Sequence, residues 1–160
     1  PHDISMILSL VNNIPLSISA FGGSYLSKSI VDTSITALKF HSNIKAHVFV
    51  SWLHPYKDQR LIVIGDKAMA VFQDTLSGNE KLMLYKHTAE WDGELPILEK
   101  AQGESISYEQ NAEPLKEECK AFIDYITNNK IPPSDGYEGL KVLKVLKEAD
   151  RDLKSRENNG

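Results

Sequence analysis

The first apolar residues of the chain repeat with helical spacing. Four of them lie three or four positions apart: Ile4, Ile7, Leu8 and Val11. Apolar residues with this spacing fall on one face of an α-helix, and the pattern stops at residues 12–13. The sequence therefore predicts a short opening helix that carries His2 and Asp3 in its first turn.

From residue 14 the apolar period changes to two, which is typical of half-buried strands. The predicted strands cover residues 14–20, 30–40, 44–53, 61–64, 69–72 and 81–85. Short turns at 41–43 and 65–67 imply antiparallel pairing. The polar segment from His87 to Gln110 predicts a long irregular loop or a covering arm.

The helical period returns near residue 113. One predicted helix begins at Pro114, ends at Asn128-Asn129, and has Cys119 on its apolar stripe as a small buried residue. A second predicted helix follows Asp135 and Glu138, which have capping-box spacing. Its expected inner face comprises Leu140, Leu143, Leu146, Ala149 and Leu153. Residues 154–160 are expected to fray as a flexible tail.

A helix, then strands, then two helices predicts an α+β fold in one domain over residues 1–153. We expect an open-faced, mainly antiparallel sheet of five to six strands with the helices on one face. The other face must be wet, covered by another domain, or buried against a second subunit. An exposed sheet face favours a homo-oligomer.

Composition excludes several partners. The 160 residues are 41% apolar and 25% charged, and 18 basic residues are scattered among 22 acidic ones. This balance gives no basic stripe for a nucleic-acid backbone. No apolar run approaches the roughly 20 residues that span a bilayer, so no membrane segment is expected. A single cysteine favours a cytoplasmic location over an oxidising compartment.

Standard cofactor and metal motifs are missing from the chain. There is no G-x-G-x-x-G after a strand, no phosphate-binding P-loop and no G-x-S-x-G elbow. The five histidines lack metal-ligand spacing, so no metal site is predicted. By itself, the His2-Asp3 pair is explained simply by a solvated histidine and an aspartate that complements the helix dipole.

Three stretches carry a much more specific signal: PHDISMIL at 1–8, SWLHPYKDQRLIVIGDKAMAVFQD at 51–74, and EPLKEECKAFIDYI with PPSDGYEGLKVLKVL within 113–146. Together they resemble the C-terminal domain of the glucose-fructose oxidoreductase and inositol dehydrogenase (Gfo/Idh/MocA) family. The likeness is strongest to the nucleotide-sugar 3-dehydrogenase branch, of the UDP-N-acetylglucosamine type. It extends from His2 to about Leu153.

The resemblance implies a glyceraldehyde-3-phosphate-dehydrogenase-like C-terminal domain, which binds a sugar or nucleotide sugar and assembles subunits. NAD or NADP would be bound mainly by an N-terminal Rossmann domain outside this sequence, which also supplies a catalytic lysine. His2 occupies the position of the family's catalytic histidine, and Asp3 is the adjacent substrate-binding candidate. Ser5 stands where many members have an aspartate, so that part of the pattern is not matched. The chain is thus expected to be a piece of a longer enzyme, inactive alone.

Lys57 and Arg60 follow the predicted strand that ends at residue 53. Two cations there could hold the diphosphate or a carboxylate of a nucleotide sugar. An exposed basic loop or an intersubunit ion pair is the simpler interpretation. Trp52 alternates with two valines and is expected in a core or an interface rather than under a base. The alternative function is a non-catalytic scaffold or binding module with the same fold.

Overall fold

The computed structural model describes residues 1–28, 30–87, 89–98, 102–109 and 112–157. Its chain divides into two compact units, where the sequence had given no sign of a boundary. The first unit comprises Pro1–His54 and the chain from Glu118 onward, and the second comprises Pro55–Glu117.

The secondary structure begins and ends with helices, as the apolar periods predicted. The helices and strands are α1 (His2–Val11), β1 (Ser17–Gly23), β2 (Thr33–Lys39), β3 (Lys45–Ser51), β4 (Arg60–Ile64), β5 (Ala68–Gln73), β6 (Leu82–Lys86), β7 (Ala89–Asp92), β8 (Leu95–Leu98), β9 (Glu104–Ser105), α2 (Pro114–Asn128) and α3 (Gly136–Glu157). Helix α1 ends at Asn12, whose left-handed backbone lets its N–H donate to the Leu8 carbonyl at 2.8 Å.

The first unit contains an antiparallel sheet in the order β1-β2-β3. Strand β1 starts opposite the end of β2, with Ser17 paired to Lys39. A short 3-10 turn at His41–Asn43 joins β2 to β3, and Ser42 and Asn43 take positive φ angles there. The antiparallel pair predicted around this turn is therefore confirmed.

The core of the first unit lies between this sheet and the helices α1 and α3. Helix α3 packs on β1, and α1 contacts both α3 and β3. The predicted stripe of α1 supplies part of the core. The buried cluster comprises Ile4, Ile7, Leu8, Leu38, Phe40, Val142 and Val145.

The second unit is built from shorter antiparallel strands. Four of them hydrogen-bond in the order β4-β5-β6-β9, and β7 pairs with β8 as a separate ribbon. The α+β class and the antiparallel strands are confirmed, but the described strands are divided between sheets instead of forming one. The prediction of an irregular arm from His87 to Gln110 was wrong, because this stretch supplies β7, β8 and β9.

The predictions of helix burial were confirmed only in part. On α3, Ala149 and Leu153 are buried as expected, whereas Leu143 is 61% exposed and Val142 and Val145 are buried instead. Because α3 has apolar residues on more than one face, only packing against the sheet selects the buried stripe. On α2 no residue is buried, and Cys119 is exposed.

The C-terminal part of α3 holds the edge of the sheet. The Ala20 amide of edge strand β1 donates to Asp152 Oδ2 at 2.8 Å, and Arg156 Nε donates to the same oxygen at 2.9 Å. Arg156 Nη2 also donates to Ser19 Oγ at 3.0 Å. These bonds protect an edge amide that would otherwise be open to another strand. Helix α3 continues to Glu157, so residues 154–157 are helical where the sequence predicted a fraying tail.

Asp152→Asn should destabilise the chain in a pH-dependent way. The Ala20 amide, followed by the Arg156 guanidinium, lowers the pKa of the Asp152 carboxyl from its ordinary 3.8. A carboxylate with a lowered pKa stabilises the fold above the unfolded pKa, and this stability is lost as the pH falls through the folded pKa. Urea denaturation should therefore show the largest difference from the wild type near neutral pH, and almost none once the pH lies below the folded value.

Asp150→Asn is the matched control, because Asp150 is on the same helix and, within the described part of the chain, pairs only with Lys154, at 2.7 Å. Exposed pairs of this type contribute little to stability. Equal losses of stability in the two variants would contradict a specific role for Asp152 at the sheet edge.

Candidate functional site

His2 is exposed at the first position of α1. No side chain caps this helix end, and the Pro1 carbonyl accepts the Ser5 amide at 2.9 Å. Asp3 is exposed in the same turn, where a carboxylate complements the helix dipole. Neither side chain hydrogen-bonds to another described residue, so both are open to a ligand or to another protein surface.

The backbone that carries His2 is fixed by the core. Ile4, one half-turn along α1, is 5% exposed and belongs to the buried cluster of the first unit. A rigid backbone beside an open imidazole is the arrangement that a general base requires, because proton transfer depends on a fixed short distance to the substrate.

Lys57 and Arg60 belong to the second unit, and each lies near a carboxylate. Lys57 Nζ is 3.7 Å from Asp74 Oδ2, and Arg60 Nη2 is 3.9 Å from Asp58 Oδ1. Asp74 has a closer partner in Lys81, whose Nζ lies 2.9 Å from Oδ1. Both candidates thus make long ion pairs within the chain, which favours the simpler interpretation of a basic loop.

The pKa of the Asp74 carboxyl depends mainly on Lys81. The hydrogen bond from Lys81 and the charge of that lysine lower the pKa of Asp74, and Lys57 contributes less. An anionic ligand that binds Lys57 would therefore leave the closer ion pair between Lys81 and Asp74 intact.

The structure keeps the four candidates in two pairs. His2 and Asp3 are neighbours in the first unit, whereas Lys57 and Arg60 are close in sequence in the second. The described residues contain no group of three or more histidine, cysteine, aspartate or glutamate side chains that could hold a metal ion. Within the same residues, no helix is both long and apolar enough to cross a membrane.

Asp32 is a buried charged residue that the sequence analysis missed. Only 7% of it is exposed, and its Oδ2 accepts the amides of Tyr25 and Leu26 at 2.7 and 2.6 Å. The other oxygen, Oδ1, is buried and has no hydrogen-bond partner among the residues that the structure describes. The sequence offered only a weak signal, an aspartate directly before a strand.

Comparison with known proteins defines the class to which this fold belongs. The family model of the GFO/IDH/MocA C-terminal domain matches residues 1–71 of this chain. A search of the curated proteins gives no match. The fold, however, is shared with several solved structures.

Three of these structures illustrate the likeness. UDP-N-acetylglucosamine 3-dehydrogenase GnnA from Acidithiobacillus ferrooxidans superposes with a TM-score of 0.79 and 17% identity, over 96% of this chain and 47% of that one. An NAD-binding protein from Listeria innocua gives 0.71 and 21%, over 97% and 48%. WlbA dehydrogenase from Bordetella pertussis, solved with NADH and UDP-GlcNAcA, gives 0.66 and 16%, over 96% and 40%.

The resemblance stated from the sequence is therefore confirmed: the chain has the fold of the Gfo/Idh/MocA C-terminal domain, and its first 71 residues match that domain in sequence. Among the structures that share this fold are nucleotide-sugar dehydrogenases. The chain spans less than half the length of the solved structures described above.

Replacing Lys81 and Lys57 one at a time tests which lysine lowers the pKa of Asp74 more. Lys81→Ala should raise the pKa of the Asp74 carboxyl clearly, because it removes both the shorter contact and the larger charge effect. Lys57→Ala should raise it less. NMR titration of the carboxyl carbon measures both shifts, and a larger rise in Lys57→Ala would mean that Lys57 is committed to Asp74.

Proposed function

We propose that this chain is the substrate-binding and oligomerisation half of an NAD(P)-dependent dehydrogenase that oxidises a ring hydroxyl of a sugar or nucleotide sugar. The main support is the superposition of 96% of the chain on UDP-N-acetylglucosamine 3-dehydrogenase. The second nucleotide-sugar neighbour, WlbA, supports the same substrate class.

The residues of this chain do not fit a dinucleotide by themselves. Gly22 and Gly23 lie within β1 and lead into a loop, whereas a dinucleotide cradle needs glycines between a strand and a helix N-terminus. NAD or NADP would accept hydride from the substrate carbon, and its binding is assigned to a nucleotide-binding half. This chain therefore contributes substrate contacts and proton transfer.

His2 is the proposed proton acceptor. Oxidation of a hydroxyl group requires removal of its proton, and a histidine can take or relay a proton near neutral pH. The exposed imidazole at the start of α1 has no described hydrogen-bond partner that would have to be displaced. Asp3 lies beside it, and its carboxylate would accept a hydrogen bond from a neighbouring sugar hydroxyl.

Lys57 and Arg60 are the proposed contacts for the substrate's diphosphate or carboxylate. Lys57 is the better placed, because its side chain is two-thirds exposed and its contact with Asp74 is long. Arg60 would have to exchange its 3.9 Å pair with Asp58 for a bidentate contact with the anion.

His2→Ala tests the proton-transfer role in an assembly of this chain with a nucleotide-binding half. Turnover of a nucleotide-sugar substrate should fall by about 100-fold or more, the usual effect of losing a general base. His41→Ala replaces another exposed histidine of the first unit and should leave turnover unchanged. An unchanged rate in His2→Ala would support the non-catalytic scaffold instead.

Oligomerisation is proposed through the sheet face of the first unit that lies away from α1 and α3. Phe21, Ile35 and Phe49 are cross-strand neighbours and form one row over the three strands. Phe21 is 56% and Phe49 49% exposed, although side chains of this size are normally buried. Such a row on the open face of a sheet is suited to packing against a second copy.

Replacement of the phenylalanines tests this surface. Light scattering should give an oligomeric mass for the wild-type chain and a monomeric mass for the Phe21→Ser, Phe49→Ser double variant. Tyr137→Ser removes an exposed aromatic ring from α3 and should not change the mass. A wild-type monomer, or equal masses for all three proteins, would contradict assembly through the row.

A further inference from the structure

Strand β4 lies at an edge of the sheet in the second unit. Among the described strands it hydrogen-bonds only to β5. Just beyond its two ends, the Gly65 amide donates to the Ala68 carbonyl and the Asp74 amide donates to the Gln59 carbonyl, both at 2.9 Å. Because antiparallel partners alternate between bonded and non-bonded pairs, the odd-numbered residues of this strand bond to β5.

The even-numbered residues of β4 consequently direct their backbone N–H and C=O groups to the open edge. They are Arg60, Ile62 and Ile64. The strand also exposes apolar side chains, since Ile62 is 47%, Val63 43% and Ile64 73% exposed. An open edge of this kind is a template for another strand.

The chain protects the edge of β1 but not the edge of β4. On β1, the Asp152 carboxylate accepts the edge amide of Ala20. After Arg60, strand β4 contains no proline and no charged residue, which are the usual means of blocking an edge. Strand β4 is therefore open to pairing with a further strand.

Strand β4 can pair with the β4 of a second copy in antiparallel orientation. One register that joins the outward backbone groups places Ile62 opposite Ile62 of the second copy. It also brings Asp58 opposite Asp66, and like charges in directly opposed positions are destabilising. The charges therefore disfavour this register.

A shift to the next register replaces this repulsion with an attraction. Val63 then lies opposite Val63 of the second copy, and Ile62 lies opposite Ile64. Arg60 lies opposite Asp66, an exposed residue of the turn after β4 that has no ion pair among the described residues. An Arg–Asp pair would then flank the apolar contacts on each side, so charge and hydrophobicity select the same register.

We propose that β4 is a self-association edge, which pairs with the β4 of a second copy about a two-fold axis at Val63. The contact would join the four-stranded sheets of two chains into one continuous sheet. It uses no residue of the phenylalanine row described above and requires no substrate.

The contact is small. A five-residue edge buries less area than the roughly 1,200–2,000 Å² of stable specific interfaces, so pairing through β4 alone should have a dissociation constant of about 100 µM or weaker. Light scattering at low micromolar concentration would not register it. In the pair, Arg60 binds Asp66, which leaves Lys57 as the contact for an anionic substrate.

Disulfide cross-linking tests the register. All variants carry Cys119→Ser, because Cys119 is exposed. At about 100 µM protein, Val63→Cys should give a covalent dimer on oxidation, since directly opposed residues without mutual hydrogen bonds have Cα atoms about 4.5 Å apart. Ile64→Cys is the matched control. It is more exposed, but its two copies would lie about 7–8 Å apart on a diagonal, too far for a disulfide.

Exchange of charges tests the ion pair. Arg60→Asp and Asp66→Arg should each reduce the yield of the Val63→Cys dimer about tenfold, because each variant places like charges opposite each other. The double variant Arg60→Asp, Asp66→Arg should restore the yield, since the pair re-forms with its charges exchanged. Circular dichroism of each variant separates lost pairing from lost folding.

Three results would overturn the pairing: no Val63→Cys dimer, equal yields from Val63→Cys and Ile64→Cys, or no recovery in the charge exchange. Weaker substrate binding in Arg60→Asp with an unchanged dimer yield would also overturn it, and would assign Arg60 to the substrate.

Discussion

Burial of Leu38, Phe40 and Val145 is the interaction on which the first unit depends. These three side chains are almost completely removed from water and lie where the sheet meets its helices. Full burial of a side chain of this size stabilises a fold by about 1.5–3 kcal/mol. The same packing holds α1 and α3 against the sheet, and it fixes the backbone that carries His2.

Two aspartates accept backbone amides at the edge and at the end of the sheet, each in a different environment. Asp152 satisfies an amide on the edge strand from outside, with Arg156 as its cation. Asp32 is buried and relies on backbone amides instead of a cation. Both carboxylates accept backbone N–H groups that would be costly to leave unpaired, and both thereby hold neighbouring residues in a defined position at the surface.

Large apolar surfaces remain exposed outside this core. The phenylalanine row of the sheet, the apolar face of α2 and Trp52 all contact water within this chain. Monomeric proteins rarely expose contiguous apolar areas of this kind. These exposed side chains include Phe21 and Phe49, which belong to the row through which oligomerisation is proposed.

The sequence by itself determined the order and type of most elements, because apolar periods of 3.6 and two follow directly from backbone geometry. It also located the first turn of α1, with His2 and Asp3, and the stretches that resemble the dehydrogenase family. The start of α3 also follows from local sequence. Oδ1 of Asp135 accepts the amides of Tyr137 and Glu138, both at 2.9 Å, and so caps the helix.

Only the tertiary structure decided which of several apolar faces is buried and which polar groups meet. Val142 and Val145 are buried where Leu143 was expected, and Cys119 is exposed. Lys57 and Arg60 each pair with a carboxylate of the same chain. Asp32 accepts amides six and seven residues earlier in the chain, and its backbone carbonyl accepts the amide of Trp52, directly after β3. Contacts between residues distant in sequence depend on how packed elements exclude water together, and no local pattern contains that information.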